Sequence, residues 1–160
     1  MNTKKVGCPL CEEKGLKVKS ITLESMLRSK YKNLIGNLDF RFCGTPNCDI
    51  VYYSEDGDQV FYKDNLHVKV GIKEESIPRP ICYCFSHNIE GIELEIQNTG
   101  NSSASDDITE RLQEGCWCET RKPAGRCCLG SVRKVEKELL KKYDVIHTTV
   151  NEHQKDCCSN

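Results

Sequence analysis

In the stretch TLESMLRSKYKNLIG, apolar side chains recur three and four residues apart at Leu23, Met26, Leu27, Tyr31, Leu34 and Ile35. That spacing predicts a helix with Thr22 as its N-cap and Gly36 as its stop. On either side the period shortens. LKVKSI, DFRFC, DIVYYS and QVFYKD alternate or concentrate β-branched and aromatic residues, with EDGD as a turn between the last two, so they read as short strands. Further along, HNIEGIELEIQN and SDDITERLQEG predict two short helices joined by the polar NTGNSSAS. Leu129, Val132, Val135, Leu139 and Tyr143 mark a final helix after Cys128. Between the two sets lies EESIPRP, where Pro78 and Pro80 lack the amide hydrogen that a helix or a central strand would need. We place a domain boundary there. Residues 1–77 form a small domain of short strands and one helix, residues 78–146 a mainly helical domain, and residues 147–160 a flexible tail containing Cys157 and Cys158. The expected fold class is α+β.

Composition changes this picture by making the core thin. Only 38% of residues are hydrophobic and 29% are charged, with one Trp and four Phe among 160 residues. A large apolar core cannot be assembled from that stock, so other bonds are expected to hold the fold. The twelve cysteines are the obvious source. The amino terminus, MNTKKVGCPLC, has no apolar run like that of a signal peptide, and no segment approaches the length of a membrane span. The expectation is a cytoplasmic protein without membrane insertion, in which thiols stay reduced and clustered cysteines bind metal.

Net charge is −1 but unevenly spread. Up to Asn33, eight Lys and Arg face three Glu, whereas from Cys82 to Glu119 eight acids face only Arg111. No sustained basic surface emerges, which argues against a nucleic-acid partner. The acidic run from Glu90 to Glu119 is instead a candidate face for a basic protein partner.

The first cysteine group is CPLC followed, after thirty-one residues, by CGTPNC. Cys8 with Cys11 and Cys43 with Cys48 each close a tight loop, and Pro9, Gly44 and Pro46 suit such knuckles. Four thiolates leave no open coordination position, so this pattern points to a structural zinc ion that supplies folding free energy. The same ligands suit iron of the rubredoxin type, and spacing does not name the ion.

The second group opens with CYCF. Two thiolates one residue apart, Cys82 and Cys84, need a bent loop to share an ion, and the same spacing suits a cluster whose other iron is held by a distant pair. Cys118 with Cys127 or Cys128 supplies that pair, because Pro123 and Gly125 bend the chain between them. Cys127 and Cys128 stand at the start of the last helix, where the helix dipole favours thiolate.

CYCF followed at long range by cysteines at a helix start resembles the [2Fe-2S] domain of bacterioferritin-associated ferredoxin. That family has C-x-C, a long gap and C-x2-C, whereas here eight residues separate Cys118 from Cys127. Taken together, CPLC, FRFCGTPNCDIVYY, VGIKEESIPRPICYCF and CETRKPAGRCCLG resemble the amino-terminal region of CopZ-type copper chaperones, over most of residues 6–140. In that region a zinc-binding domain is joined to a ferredoxin-like [2Fe-2S] domain. The resemblance implies zinc at Cys8, Cys11, Cys43 and Cys48, and a [2Fe-2S] cluster at Cys82, Cys84, Cys118 and Cys127, with Cys128 and Cys116 as alternates. It implies one-electron transfer in metal handling, such as reduction of copper(II) to copper(I). The implied partner is a redox protein or a metal-transport protein, such as a copper pump or a copper-binding chaperone. Full-length members continue into a copper-binding domain with an M-x-C-x-x-C loop, a motif these 160 residues do not contain.

Cys157 and Cys158, near His153, are soft donors suited to copper(I). His87 follows the C-x-C closely and suits a capping or surface role beside the cluster, and His67 and His147 fall in strand-like and helix-end contexts. Trp117, between Cys116 and Cys118, is expected to shield the cluster from water. Nucleophile motifs, phosphate-cradling glycine loops and paired carboxylates do not stand out, so electron transfer or metal binding is favoured over an organic substrate. The competing reading is a carrier or sensor of zinc or another transition metal without redox activity.

Overall fold

The alternating segments become one antiparallel sheet in a computed structural model that describes residues 6–143. Strands β1 (Leu16–Val18), β2 (Phe40–Phe42), β3 (Ile50–Ser54) and β4 (Val60–Tyr62) lie in the order β1-β2-β3-β4. Leu16 faces Phe42, Phe40 faces Ser54 and Ile50 faces Tyr62, with a register shift between Ile50 and Tyr52. Every residue of β3 is buried, because the strand is covered on both sides. Tyr52 enters the main core with Leu23, Met26, Leu27, Phe40 and Phe61, while Ile50 and Tyr53 pack against Cys8, Cys43 and Cys48.

The helix predicted around Leu23 is real but is shorter and starts earlier. Helix α1 is Ser20–Met26, preceded by Lys19, so Thr22 is a buried residue inside it and not its cap. Leu27 then turns extended and bridges Leu66, and the Arg28 N–H donates to the Asn65 carbonyl at 2.9 Å. The chain resumes as a 3-10 helix at Ser29–Leu34. Helical spacing of apolar residues was correct, but pairing with a distant segment outweighed one more turn of α-helix.

A hairpin of β5 (Pro80–Cys82) and β6 (His87–Asn88) opens the second half. It leads into α2 (Ile89–Thr99), which the Asn88 side chain caps by accepting from the Gly91 N–H at 2.7 Å. Then come α3 (Ala104–Arg111), the single turn α4 (Cys118–Arg121), which periodicity did not predict, and α5 (Leu129–Lys142). Ile81, Ile92, Ile96, Ile108, Leu129, Val132 and Leu139 form a second core. Burying each such side chain stabilises by roughly 1.5–3 kcal/mol.

The halves meet along a tight seam. The Tyr52 hydroxyl donates to the Pro123 carbonyl, and Ala124 packs on the first core. Gly125 has φ +65 and lies on Thr22, where an added Cβ would come 2.8 Å from Oγ1. Gly71 backs onto the Pro80 carbonyl so closely that a Cβ would stand 1.7 Å from its oxygen. These contacts set where the loop 118–128 places its cysteines. No helix among the described residues is long and apolar enough to cross a membrane.

Two candidate metal centres

Cys8 and Cys11 sit in a turn closed at its base by the bridge between Gly7 and Lys14, with the Cys8 N–H donating to the Glu13 carbonyl at 2.9 Å. Cys43 follows β2 and donates its N–H to the Val51 carbonyl at 2.8 Å, and Cys48 closes the next loop through the Thr45 carbonyl. The two knuckles bring Cys8 Sγ to 3.8 Å from Cys48 Sγ, and Cys11 Sγ to 3.6 Å from Cys43 Sγ. All four sulfurs lie within 4.8 Å of one another. A tetrahedral ion with metal–sulfur bonds of about 2.3 Å sets its ligand sulfurs about 3.8 Å apart, so the quartet fits zinc.

The surroundings explain how four thiolates are tolerated. Burial pushes the Cys8 thiol up and the Cys48 thiol up to about 12. Cys11 feels burial in the same direction, but hydrogen bonds from Thr45 and the backbone outweigh it and lower the thiol to about 7. Its sulfur lies 3.3 Å from Thr45 Oγ1. Lys73 is 5% exposed and donates from Nζ to the Thr45 carbonyl at 2.7 Å and to the Cys48 carbonyl at 2.9 Å. Its ammonium places a positive charge against the Cys43–Cys48 knuckle, which offsets the excess negative charge of a four-thiolate site. The local sequence, GIKEES, carries no signal for this role, because only the fold folds Lys73 back onto the knuckle.

In the second half, Cys82 ends β5, Cys84 lies in the following turn, Cys118 opens α4 and Cys128 is the N-cap of α5. Cys82, Cys118 and Cys128 are buried and Cys84 is half-buried. Cys84 Sγ lies 3.7 Å from Cys118 Sγ. The Cys128 thiol hydrogen-bonds to Cys82 and lowers it to about 6, a direction reinforced by His87, while the same contact and burial raise Cys128. Burial first, and then Cys84, raise Cys118. The arrangement is two close pairs drawn from four separate elements. Among the described residues, no other set of three or more His, Cys, Asp or Glu ligand atoms converges as the first quartet does, so these pairs do not close on one point.

Cys127 and Cys116 are exposed. Cys128, not Cys127, is the neighbour of Cys82, because the N-cap position of α5 turns it inward to the core of Ile81 and Val132. Trp117 is 52% exposed with Arg121 over its ring at 5.2 Å, so it does not shield the second quartet. His87 donates from Nε2 to Asp107 Oδ2 at 2.7 Å, and His67 bonds the Ser25 carbonyl. The acidic run is not a free face. Four of its eight acids are in ion pairs: Glu90 with Arg79, Glu93 with Lys142, Asp107 with Arg111 and His87, and Glu119 with Lys19. Cys157, Cys158, His147 and His153 lie outside the described residues.

A zinc-binding domain family, that of CopZ, matches residues 5–67. The copper chaperone CopZ of Archaeoglobus fulgidus is 34% identical over 121 residues, which are 76% of this chain and 57% of that protein. The chain therefore spans little more than half of this relative's length. The X-ray structure of the A. fulgidus CopZ N-terminal domain superposes with a TM-score of 0.70 at 31% identity, covering 81% of this chain and 96% of that one.

Proposed function

We propose, from the premise that the chain belongs to the CopZ family through its zinc-binding amino-terminal region, that it is a metal-handling protein in which one quartet holds the fold and the other performs electron transfer. The first quartet fits a structural zinc ion, with all four positions filled by protein sulfur. In this reading Cys82, Cys84, Cys118 and Cys128 hold a [2Fe-2S] cluster. The observation that carries it is the pairing of Cys84 with Cys118 and of Cys82 with Cys128, since two irons need two pairs of thiolates while one ion needs all four at a point. A bound cluster supplies one-electron transfer, sufficient to convert copper(II) to copper(I).

The chain's own residues prepare this site. Ile81, Leu129 and Val132 bury one side of it and keep water away. The α5 amino terminus and the neighbouring Lys122 favour negative charge at Cys128. His87, anchored by Asp107, favours thiolate at Cys82. Half-buried Cys84 leaves a route to a redox partner. The partner in this reading is a copper-handling protein, a class that the relative's name implies.

Anaerobic purification followed by metal and acid-labile sulfide analysis tests the reading. The expected result is a reddish-brown protein, bleached by dithionite, with about two irons and one zinc per chain. A Cys82→Ala variant is expected to lose iron and colour and to keep zinc. A colourless protein that takes up no iron on reconstitution overturns the redox reading and leaves a zinc-held carrier.

A further inference from the structure

We propose that the seam between the two halves holds a binding site for a small amphipathic anion, a compact apolar body bearing one carboxylate or phosphate. The site is a cleft of about 290 Å³. Small-molecule pockets run from about 300 to 1,000 Å³ and collect where domains meet, so both the size and the place fit. This goes beyond the reading above and uses neither metal centre.

The two walls of the cleft differ in kind. The first half contributes Leu16, Val70 and Ile72, and Leu16 and Ile72 keep 44% and 43% of their surface in water. Gly44 lines the same wall, and an added Cβ there would meet no atom within 4 Å, so the space beside it is open. The second half contributes Lys122, Arg126 and Ser131, from the loop before α5 and from its first turn. Tyr83 also lines the cleft, but its hydroxyl is already engaged, donating to the Lys69 carbonyl and accepting from the Gly71 N–H.

Charge decides the class of occupant. No acidic residue lines the cleft, and among the described residues neither Lys122 nor Arg126 is in an ion pair. A cationic ligand would be repelled, and a neutral one would displace water from both cations without replacing its bonds. An anion whose apolar body lies on Leu16, Val70 and Ile72 meets both demands. It removes apolar surface from water and offers the cations charge-assisted hydrogen bonds, which the planar Arg126 guanidinium can make in pairs. Such a ligand touches both halves, so its binding also stabilises the seam.

The test titrates the full chain, purified anaerobically with its metals, with three probes of similar shape and different charge: naphthoate, naphthalenemethanol and naphthylmethylammonium. Naphthoate is expected to bind with a Kd below about 1 mM, the alcohol at least about tenfold more weakly, and the ammonium more weakly still. Arg126→Glu is expected to weaken naphthoate at least about tenfold and to leave the alcohol within about twofold, a split that a change of shape alone does not give. Ser131→Trp, at an exposed position of α5, is expected to fill the cleft and weaken both probes with zinc content unchanged. In the unaltered chain, naphthoate is expected to shift the methyl NMR signals of Leu16, Val70 and Ile72 and to leave Ile50, in the zinc core, unmoved. This readout needs no variant, so misfolding cannot conceal the answer. Equal affinity for all three probes, no measurable naphthoate binding at about 1 mM, or shifts confined to other methyls overturns the proposal. Naphthoate binding to a chain that takes up no iron would leave this site standing while the cluster reading falls; full iron with no naphthoate binding would do the reverse.

Discussion

The two quartets use the same side chain and differ in how the fold presents it. In the first, each pair is made locally, by a turn of a few residues, and the sheet only has to bring two ready-made knuckles together. In the second, no pair is local. Cys84 meets Cys118 and Cys82 meets Cys128 only because the seam between the halves holds the loop 118–128 in place. The first quartet converges on a point, and among the described residues the second does not converge in the same way. A site assembled from knuckles is suited to fastening a fold, whereas one assembled from distant elements depends on a fold already made.

The largest expected effect follows from that dependence. Cys43→Ala is expected to abolish zinc binding and unfold the strand-rich half, since structural zinc contributes on the order of 10 kcal/mol to such small domains. Because the seam fails with it, the second quartet should also lose its metal, seen as loss of both metals and of native circular dichroism. Cys128→Ala, in contrast, is expected to remove iron and colour while zinc stays near one per chain. Cys127→Ala is expected to keep both metals; if instead it loses the colour and Cys128→Ala does not, the inward turn of Cys128 is not what selects the ligand.

Protons sharpen the comparison at the zinc site. Cys8 and Cys48, raised by burial, carry protons throughout the range from pH 6 to pH 8, and zinc must displace them. Affinity therefore rises with pH, by about tenfold per pH unit for each proton displaced, or roughly ten-thousandfold over this range from the two thiols. Unfolding of the metal-free form leaves the sign unchanged, because ordinary thiols, with pKa about 8.5, are also protonated there. Chelator competition at the two pH values measures it. Cys11, lowered to about 7, adds a further proton only below that pH.

Smaller effects probe the seam. Gly71→Ala forces a methyl group against the Pro80 carbonyl and is expected to cost about 2–4 kcal/mol, with the second quartet's metal lost at lower denaturant than zinc. Lys19→Ala removes an exposed pair with Glu119 across the same seam and is expected to cost less than about 1 kcal/mol. A large loss there would mean that charge, not packing, joins the halves.

The sequence by itself determined most of the elements and picked out the first cysteine quartet. Four strands and the helices α2, α3 and α5 followed from apolar period and turn residues, and C-x2-C with C-x4-C was enough to pick out Cys8, Cys11, Cys43 and Cys48, because loop closure over a few residues is a local property. Tertiary structure alone decided where α1 stops, since Leu27 answers to Leu66 across the core. It alone turned Cys128 inward and left Cys127 and Trp117 exposed, a choice between neighbours that no spacing rule makes. It also brought Lys73 onto the zinc knuckle and spent half the acidic run in ion pairs. Periodicity records what each residue prefers near its own neighbours, whereas these outcomes depend on groups tens of residues away.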